Sequence, residues 1–430
     1  MTQVTPAARA HAEDLADFVA ASGSSFHAAA ELARRLTAAG FTQLDEADVW
    51  PAQAGGAFFI VRDGAVIAWR VPANAAAITG IHVLGAHNDS PGFKLKPKPT
   101  TGGRGWLQAG VEIYGGPLLN SWLDRELRLA GRLALADGRV VLADTGALLR
   151  LPQLAVHLDR GVNTDGLVLD KQAQTQPVWG LGEPESEDLL AQIASSAGVD
   201  AADIRGYDLI TVDAQRAEIF GKDDAFFASA RKDYLASVHA GVVALLNLPE
   251  DFDGDHIAML AAFDHEEIGS ETRSGAAGPI LQDVFDRVRR GLGGDADDAH
   301  RAMADSVCLS SDVGHSVHPN YQHKHDPVVQ PVLGSGPILK INASQRYATD
   351  AIGAASWNGW CEAAGVNSQE FVSNNGVPCG STIGPITAGR LGIRTIDVGI
   401  PILSMHSARE LAGVTDLHDL SLVAGEFFRG

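Results

Sequence analysis

Cysteine is scarce in this sequence: Cys308, Cys361 and Cys379 are the three in 430 residues, and no C-x-x-C pair occurs. An odd, widely spaced set excludes a disulfide frame, suits a reducing cytoplasm, and offers no ligand spacing for thiolate-bound zinc or a catalytic cysteine. Long apolar runs are missing too. The longest, such as IAMLAAF at 257–263, is strand-sized, far short of the ~20 residues a membrane span needs. The N-terminal stretch carries acids and lacks the basic-then-apolar order of an export signal, so a cytoplasmic chain without membrane contact is expected. Positive charge is short: 33 basic against 53 acidic residues leave a net charge of −20. Such a surface repels phosphate backbones and argues against nucleic acid. No G-x-S-x-G elbow is present, since GSTIG at 380–384 has the wrong spacing for a serine hydrolase. The GSGP and GLGG stretches lack the following Lys-Ser/Thr of a phosphate loop.

What is present is ordinary soluble composition, 45% apolar and 20% charged, in a chain long enough for two domains. Residues 6–40 read as helix from apolar spacing of three and four. GAFFIVRDGAVIAWRV follows with an Asp63-Gly64 hairpin turn, then the near-continuous apolar run ITGIHVLGAHND, typical of a buried strand. From 98 to 222 the texture changes to short segments of β type punctuated by Pro and Gly, as in GRLALADGRVVLAD. After it, the amphipathic helix DYLASVHAGVVALLNL alternates with the strand-like runs 256–263, 306–311 and 395–402. The expected fold class is therefore α/β with a central sheet, and 98–222 reads as a β-rich domain inserted between 1–97 and 223–430.

Acids and histidines recur at the ends of these apolar runs. His87 and Asp89 follow one, Glu266 and Glu267 a second, Asp312 a third and His406 a fourth, while Asp233 sits at the N-cap position of the amphipathic helix. Singly, each has a plain structural role: a cap, a turn former, an acid at a helix start, a packed imidazole. Ligands of open α/β sheets, however, bind beyond the carboxyl ends of the strands. If these runs are parallel, the acids crowd on one rim and repel unless a cation lies among them. Oxygen and imidazole donors suit zinc, manganese or cobalt.

The ordered set GAHNDSPGFKLKP, WLDREL, FDHEEIGS, SSDVGHSVHPNY, ILKINASQRYATD, PCGSTIGPI and SMHSARE resembles the M18 metallopeptidases, the aspartyl aminopeptidases, over about 87–410. The resemblance implies a phosphorylase/hydrolase-like catalytic domain with an inserted dimerisation domain, and an enzyme that releases N-terminal Asp or Glu from peptides. It implies two divalent metal ions, zinc first with cobalt or manganese as alternatives, bridged by Asp233. His87 and Asp312 belong to one ion and Glu267 and His406 to the other, with Glu266 as general base and Asp89 orienting His87. Lys340 is implied as the cation for the acidic substrate side chain, with Arg346 a weaker candidate. His157 is implied to complete a neighbouring subunit's site within a dimer-based homo-oligomer, a tetrahedral dodecamer in the family. His315 and His318 are expected to support Asp312. Asn88 stands where threonine is common, and SNNGVPCG lacks charges often found before its Pro-Cys-Gly. Alternatives are a neutral aminopeptidase or deacylase on the same scaffold, or a metal-dependent assembly scaffold without catalysis.

Overall fold

A computed structural model describes residues 3–430; positions 1 and 2 of the segment 1–97 lie outside the described residues. The N-terminal helical stretch is two helices, α1 (Pro6–Ala21) and α2 (Ser25–Ala38), broken at Ser22-Gly23 and capped by the Thr5 and Ser24 hydroxyls. Strands β1 (Thr42–Gln43), β2 (Ala57–Arg62), β3 (Ala65–Arg70) and β4 (Ile81–His87) follow. The β2–β3 hairpin closes through Asp63 at φ 56°, the left-handed geometry that a two-residue turn needs.

The chain then builds a second sheet from β5 (Gly92–Gly103), β6 (Trp106–Tyr114), β7 (Glu126–Leu135), β8 (Val140–Asp144), β9 (Leu149–Arg150), β10 (Val178–Leu181) and β11 (Ile204–Asp213), with α3 (Leu189–Ala197) against it. Its strands pair antiparallel around an apolar cluster of Phe93, Trp122, Leu127 and Leu209. This sheet begins at Gly92, and β5 spans position 98, where the change of texture reads as a boundary; its pairing with β6 shifts register between Leu95 and Thr100, with Lys98 at φ 55°.

Returning, the chain forms β12 (Glu218–Phe220), β13 (Phe226–Ser229), α4 (Lys232–Leu246), β14 (Ile257–Phe263), α5 (Ile280–Gly291), α6 (Ala296–Ala304), β15 (Val307–Ser311), β16 (Gly314–His315), β17 (Ile338–Lys340), α7 (Ala351–Ala364), β18 (Gln369–Phe371), α8 (Ile383–Leu391), β19 (Arg394–Gly399), β20 (Pro401–Leu403), β21 (Glu410–Gly413) and α9 (Val414–Arg429). The main sheet has the order β1-β2-β3-β14-β4-β15-β19-β17-β18, and its centre, β14, β4, β15 and β19, is parallel. These strands are almost wholly buried because helices cover both faces. On one face lie Leu235, Val238 and Val242 of α4 with α1 and α9; on the other, Ile280, Val284 and Val288 of α5. The run 395–402 is not one strand. It divides into β19 and β20, which belong to different sheets. At the division Gly399 meets the end of β15 so closely that a Cβ would lie 1.5 Å from the Asp312 carbonyl oxygen. A five-stranded sheet, β12-β13-β21-β20-β16, gathers the segments beside that division.

Candidate metal centre

Parallel pairing puts the strand ends side by side. His87 closes β4 opposite Phe263, the last residue of β14; Glu266 and Glu267 follow in a short 3-10 turn, and Asp312 stands one residue past β15. Asp233 enters from α4 and His406 from the loop between β20 and β21. Asp233 is not the helix cap. Arg231 holds that position with φ 62°, and Asp233 is the second helical residue. The exposed N–H groups of the first turn go instead to Glu410, whose Oε2 accepts from Lys232 N at 2.7 Å and Asp233 N at 3.0 Å. Its Oε1 accepts from His406 N at 2.9 Å. One buried carboxylate thus ties two of the expected ligand segments together.

The side chains of His87, Asp233, Glu267, Asp312 and His406 do meet. His406 Nε2 lies 3.0 Å from Asp233 Oδ2 and 3.5 Å from Glu267 Oε2. His87 Nε2 lies 4.0 Å from Asp312 Oδ1. Ligand atoms of Asp233, Glu267 and His406 fall within 4.8 Å of one another, as do those of His87, Glu266 and Glu267. The outward ring nitrogens are both occupied: His406 Nδ1 faces the Gly116 carbonyl at 3.0 Å, and His87 Nδ1 faces Asp89 Oδ1 at 3.3 Å. A carbonyl and a carboxylate only accept, so each Nδ1 carries a proton and each Nε2 points toward the centre, where a bound cation would take the place of its proton.

Asp89 is saturated by other partners. Oδ1 accepts from Glu266 N at 2.9 Å as well as from His87, while Oδ2 accepts from Glu267 N at 3.1 Å and the Tyr114 hydroxyl at 2.8 Å. Burial alone would raise its pKa, yet the bonds from His87, Tyr114 and Glu266 N hold it below the ordinary value. Tyr114 comes from β6, so the second sheet contributes directly to this network. Arg231, His265, Ser404 and His406 all adopt φ of 60° to 64° beside the site; non-glycine residues in that region cost of order 1 kcal/mol each and persist where surrounding contacts impose them.

The centre carries more negative charge than it can settle by itself. Burial, followed by the neighbouring carboxylates, pushes Glu267 well above the usual range, and Glu266 is pushed up to about 7 by burial and by Asp312, Asp89 and Asp233 despite nearby His87. Burial opposes protonation of His87, yet Asp89, Glu266 and Asp312 raise it to about 10; His406 rises to about 9 beside Asp233. Glu267 Oε1 and Asp312 Oδ1 are buried without any hydrogen-bond partner. Orphaned carboxylate oxygens and two converging imidazole Nε2 atoms, held protonated only by the surrounding acids, fit a bound divalent transition cation in place of those protons, and zinc first among them.

Other expected residues fall at varying distances from this cluster. Lys340 is buried, not solvated, and its Nζ lies 3.4 Å from Asp312 Oδ2 and 5.4 Å from the Tyr347 ring centroid. Arg346 is exposed and donates to the Gly380 carbonyl. His315 and His318 make no hydrogen bond to Asp312. His318 N instead donates to His325 Nε2 at 3.0 Å, and both histidines line a cavity of about 260 Å³ with Tyr347 and Phe371. His315 is the last residue of β16 and His318 lies in the loop beyond it, past the strand end that holds Asp312. His157 stands exposed in a turn between β9 and β10 of the second sheet. Asn88 is buried and donates to the Gly64 carbonyl at 2.8 Å. Sequence reading missed Tyr114, Lys232 and Glu410 as parts of the site; Glu410 is the last residue of the quoted SMHSARE, where only its histidine drew notice.

A mixed α/β scaffold with carboxylates and imidazoles at its strand ends defines the class: a zinc-type metallohydrolase. Comparison with known proteins narrows it. The profile of the family described as Aminopeptidase I zinc metalloprotease (M18) matches residues 18–428. A Streptomyces coelicolor protein named "Probable M18 family aminopeptidase 2" is 51% identical over 416 residues, 96% of each chain. Among solved structures, the cryo-EM structure of the Ape4 and Nbr1 complex matches with a TM-score of 0.95 at 33% identity, covering 100% of this chain and 88% of that one. The S. cerevisiae mApe1 dodecamer matches at 30% identity with a TM-score of 0.83, over 97% of this chain and 95% of that one. The chain belongs to the M18 family of zinc metallo-aminopeptidases. Among the described residues no helix is long and apolar enough to cross a membrane.

Proposed function

We propose that this chain is an aminopeptidase that releases N-terminal aspartate or glutamate from peptides. The observation that carries the reading is the convergence of two imidazole Nε2 atoms and two orphaned carboxylate oxygens on one rim. We assign His87 and Asp312 to one divalent cation, Glu267 and His406 to a second, and Asp233 to both, with zinc the first choice and cobalt or manganese alternatives. When bound, such ions bring the pKa of a water down to about 7 and polarise a substrate carbonyl. Glu266 is the general base. It takes a proton from water as the water oxygen bonds to the scissile carbonyl carbon, and gives it to the amine nitrogen as the C–N bond breaks. Asp89 positions this base through its bond to Glu266 N while holding His87.

The second sheet and its flanking segments, 98–222 with β5 included, form the dimerisation domain in this reading. His157 then reaches a neighbouring subunit, and the likeness to a dodecameric relative supports a homo-oligomer. The chain acts in the cytoplasm. Lys340 supplies the positive charge that an acidic substrate side chain needs. A second reading, a neutral-residue aminopeptidase, is favoured by one observation: the Lys340 ammonium already faces Asp312, and the adjoining cavity presents Tyr347, Phe371 and Val377.

Metal analysis combined with hydrolysis of Asp-, Glu-, Ala-, Leu- and N-acetyl-Asp substrates decides between them. Expected are chelator-sensitive cleavage of Asp and Glu substrates and none of the blocked one; Glu266→Gln keeps its metal and loses about 10²–10⁴ in kcat. Preference for Ala or Leu selects the second reading, and full turnover by the variant removes Glu266 from its role.

A further inference from the structure

The cavity of about 260 Å³ lined by Tyr347 and Phe371 adjoins the metal centre at two points. His315 of its lining is near enough to the rim for the charges of Lys340, Asp233 and His406 all to act on its ring. Ser404, in the loop that carries His406, lines it as well. Lys340, assigned above to the side chain of the first residue, is not part of that lining; Tyr347, whose ring centroid lies 5.4 Å from Lys340 Nζ, is the wall they share.

Another part of the lining, from the loop around 318–325, offers hydrogen-bond donors. Asn320 N donates to His318 Nδ1 at 3.2 Å, and His318 N donates to His325 Nε2 at 3.0 Å. A ring nitrogen that accepts from a backbone N–H carries no proton. Each neutral imidazole therefore holds its proton on the other nitrogen, which can only donate. Lys324, exposed and between them in sequence, adds an ammonium. Asn374 fixes this loop by donating from Nδ2 to the His325 carbonyl at 2.9 Å. Among the described residues that line the cavity none is acidic, although the chain carries 53 acids to 33 bases. Asp326, the next acid along the loop, spends Oδ1 on Val328 N and Val329 N, both at 2.8 Å.

On the aminopeptidase reading above, on which this rests, the first residue and its carbonyl occupy the metal centre, and the peptide beyond the scissile bond must leave the rim. We propose that the cavity receives the residue that follows the scissile bond, and that Lys324, His318 and His325 select an acidic side chain there. A carboxylate in the cavity meets an ammonium and imidazole N–H groups, charge-assisted bonds that offset its desolvation. The apolar walls of Tyr347 and Phe371 strengthen that pairing by keeping the local dielectric low. A basic side chain meets the same donors and finds no carboxylate to pair with, so the lining disfavours it.

The test follows initial release of the first residue from the peptides Xaa-Glu-Ala and Xaa-Lys-Ala by the zinc-loaded full chain, with Xaa the first residue preferred in the substrate comparison above. Fixing Xaa in this way separates the two readings: a preference for Leu overturns the Asp/Glu assignment and leaves this comparison intact. Wild type should show the higher kcat/KM for the Glu peptide. Lys324→Met should lower the ratio of the two about 5-fold, the contribution of one exposed ion pair, and Lys324→Glu should lower it further. Both variants change an exposed side chain, and turnover of Xaa-p-nitroanilide, which offers no second residue, shows that each is folded and loaded with metal. A wild-type ratio of one or less, or a ratio unmoved by Lys324→Glu, overturns the proposal.

Discussion

Glu410→Gln removes one oxygen from a residue that serves three buried donors. Glu410 Oε2 accepts from Lys232 N and Asp233 N at 2.7 and 3.0 Å, and Oε1 accepts from His406 N at 2.9 Å. Glutamine has a single acceptor oxygen, so its NH₂ must face at least one of those N–H groups. A buried donor left unpaired costs about 1–3 kcal/mol. The exchange also removes the charge that favours the wholly buried Lys232 ammonium, whose hydrogen-bond partners are the Ser229 carbonyl and hydroxyl and the Glu410 carbonyl. The sum is about 2–5 kcal/mol, concentrated where Asp233 and His406 leave the backbone. Loss of such supporting bonds typically weakens metal binding 10- to 100-fold. Competition with a chromophoric chelator measures that affinity, and a melt of the chelator-treated protein reports the fold alone. Zinc affinity within twofold of wild type, beside a lowered melt, refutes the reasoning and leaves Glu410 a purely structural residue.

Asp89→Asn should cost about 10²-fold in kcat and 10- to 100-fold in zinc affinity, since one amide cannot accept from His87, Tyr114, Glu266 N and Glu267 N together; kinetics and chelator competition check both. His82 stacks on His256 at 3.4 Å, and burial lowers its pKa from 6.5 to about 3. Between those values the unfolded imidazole binds a proton that the folded one refuses. Stability therefore falls as pH drops from 6.5 toward 3, by at most about 1.4 kcal/mol per pH unit from this group. In chelator, His82→Phe should flatten that acid limb of a denaturation-midpoint profile. Gly399→Ala puts a Cβ 1.5 Å from the Asp312 carbonyl oxygen and should cut soluble yield or lower the melting temperature by many degrees, in the range of severe backbone clashes.

The strand ends were legible because buried parallel strands advertise themselves as apolar runs, so a polar residue just beyond one marks the rim. His87, Asp312 and the Glu266–Glu267 pair stand out in this way. Asp233 was legible as a helix start but not in its role, because the donors it would have capped are served by Glu410, 178 residues from Lys232. Tyr114 carries no local signal: its tie to Asp89 depends on how β5 and β6 fold back over the rim. The same limit applies to β5, which begins at Gly92, ahead of the change of texture at 98, and shifts register against β6 between Leu95 and Thr100. Lys340 stands out in the sequence only through the family resemblance; its burial comes from β18 and β19, which flank β17 on either side.

The small five-stranded sheet has a consequence for the order of events during synthesis. Its strand β21 pairs with β13, and β20 pairs with β16, so the loop bearing His406 finds its place only after late segments meet early ones. A nascent chain that has not yet emerged beyond residue 413 has His87, Asp233, Glu267 and Asp312 but nothing to draw His406 among them. Ribosome-bound intermediates and prematurely terminated fragments therefore lack the full set of side chains that meet at the rim of the finished fold.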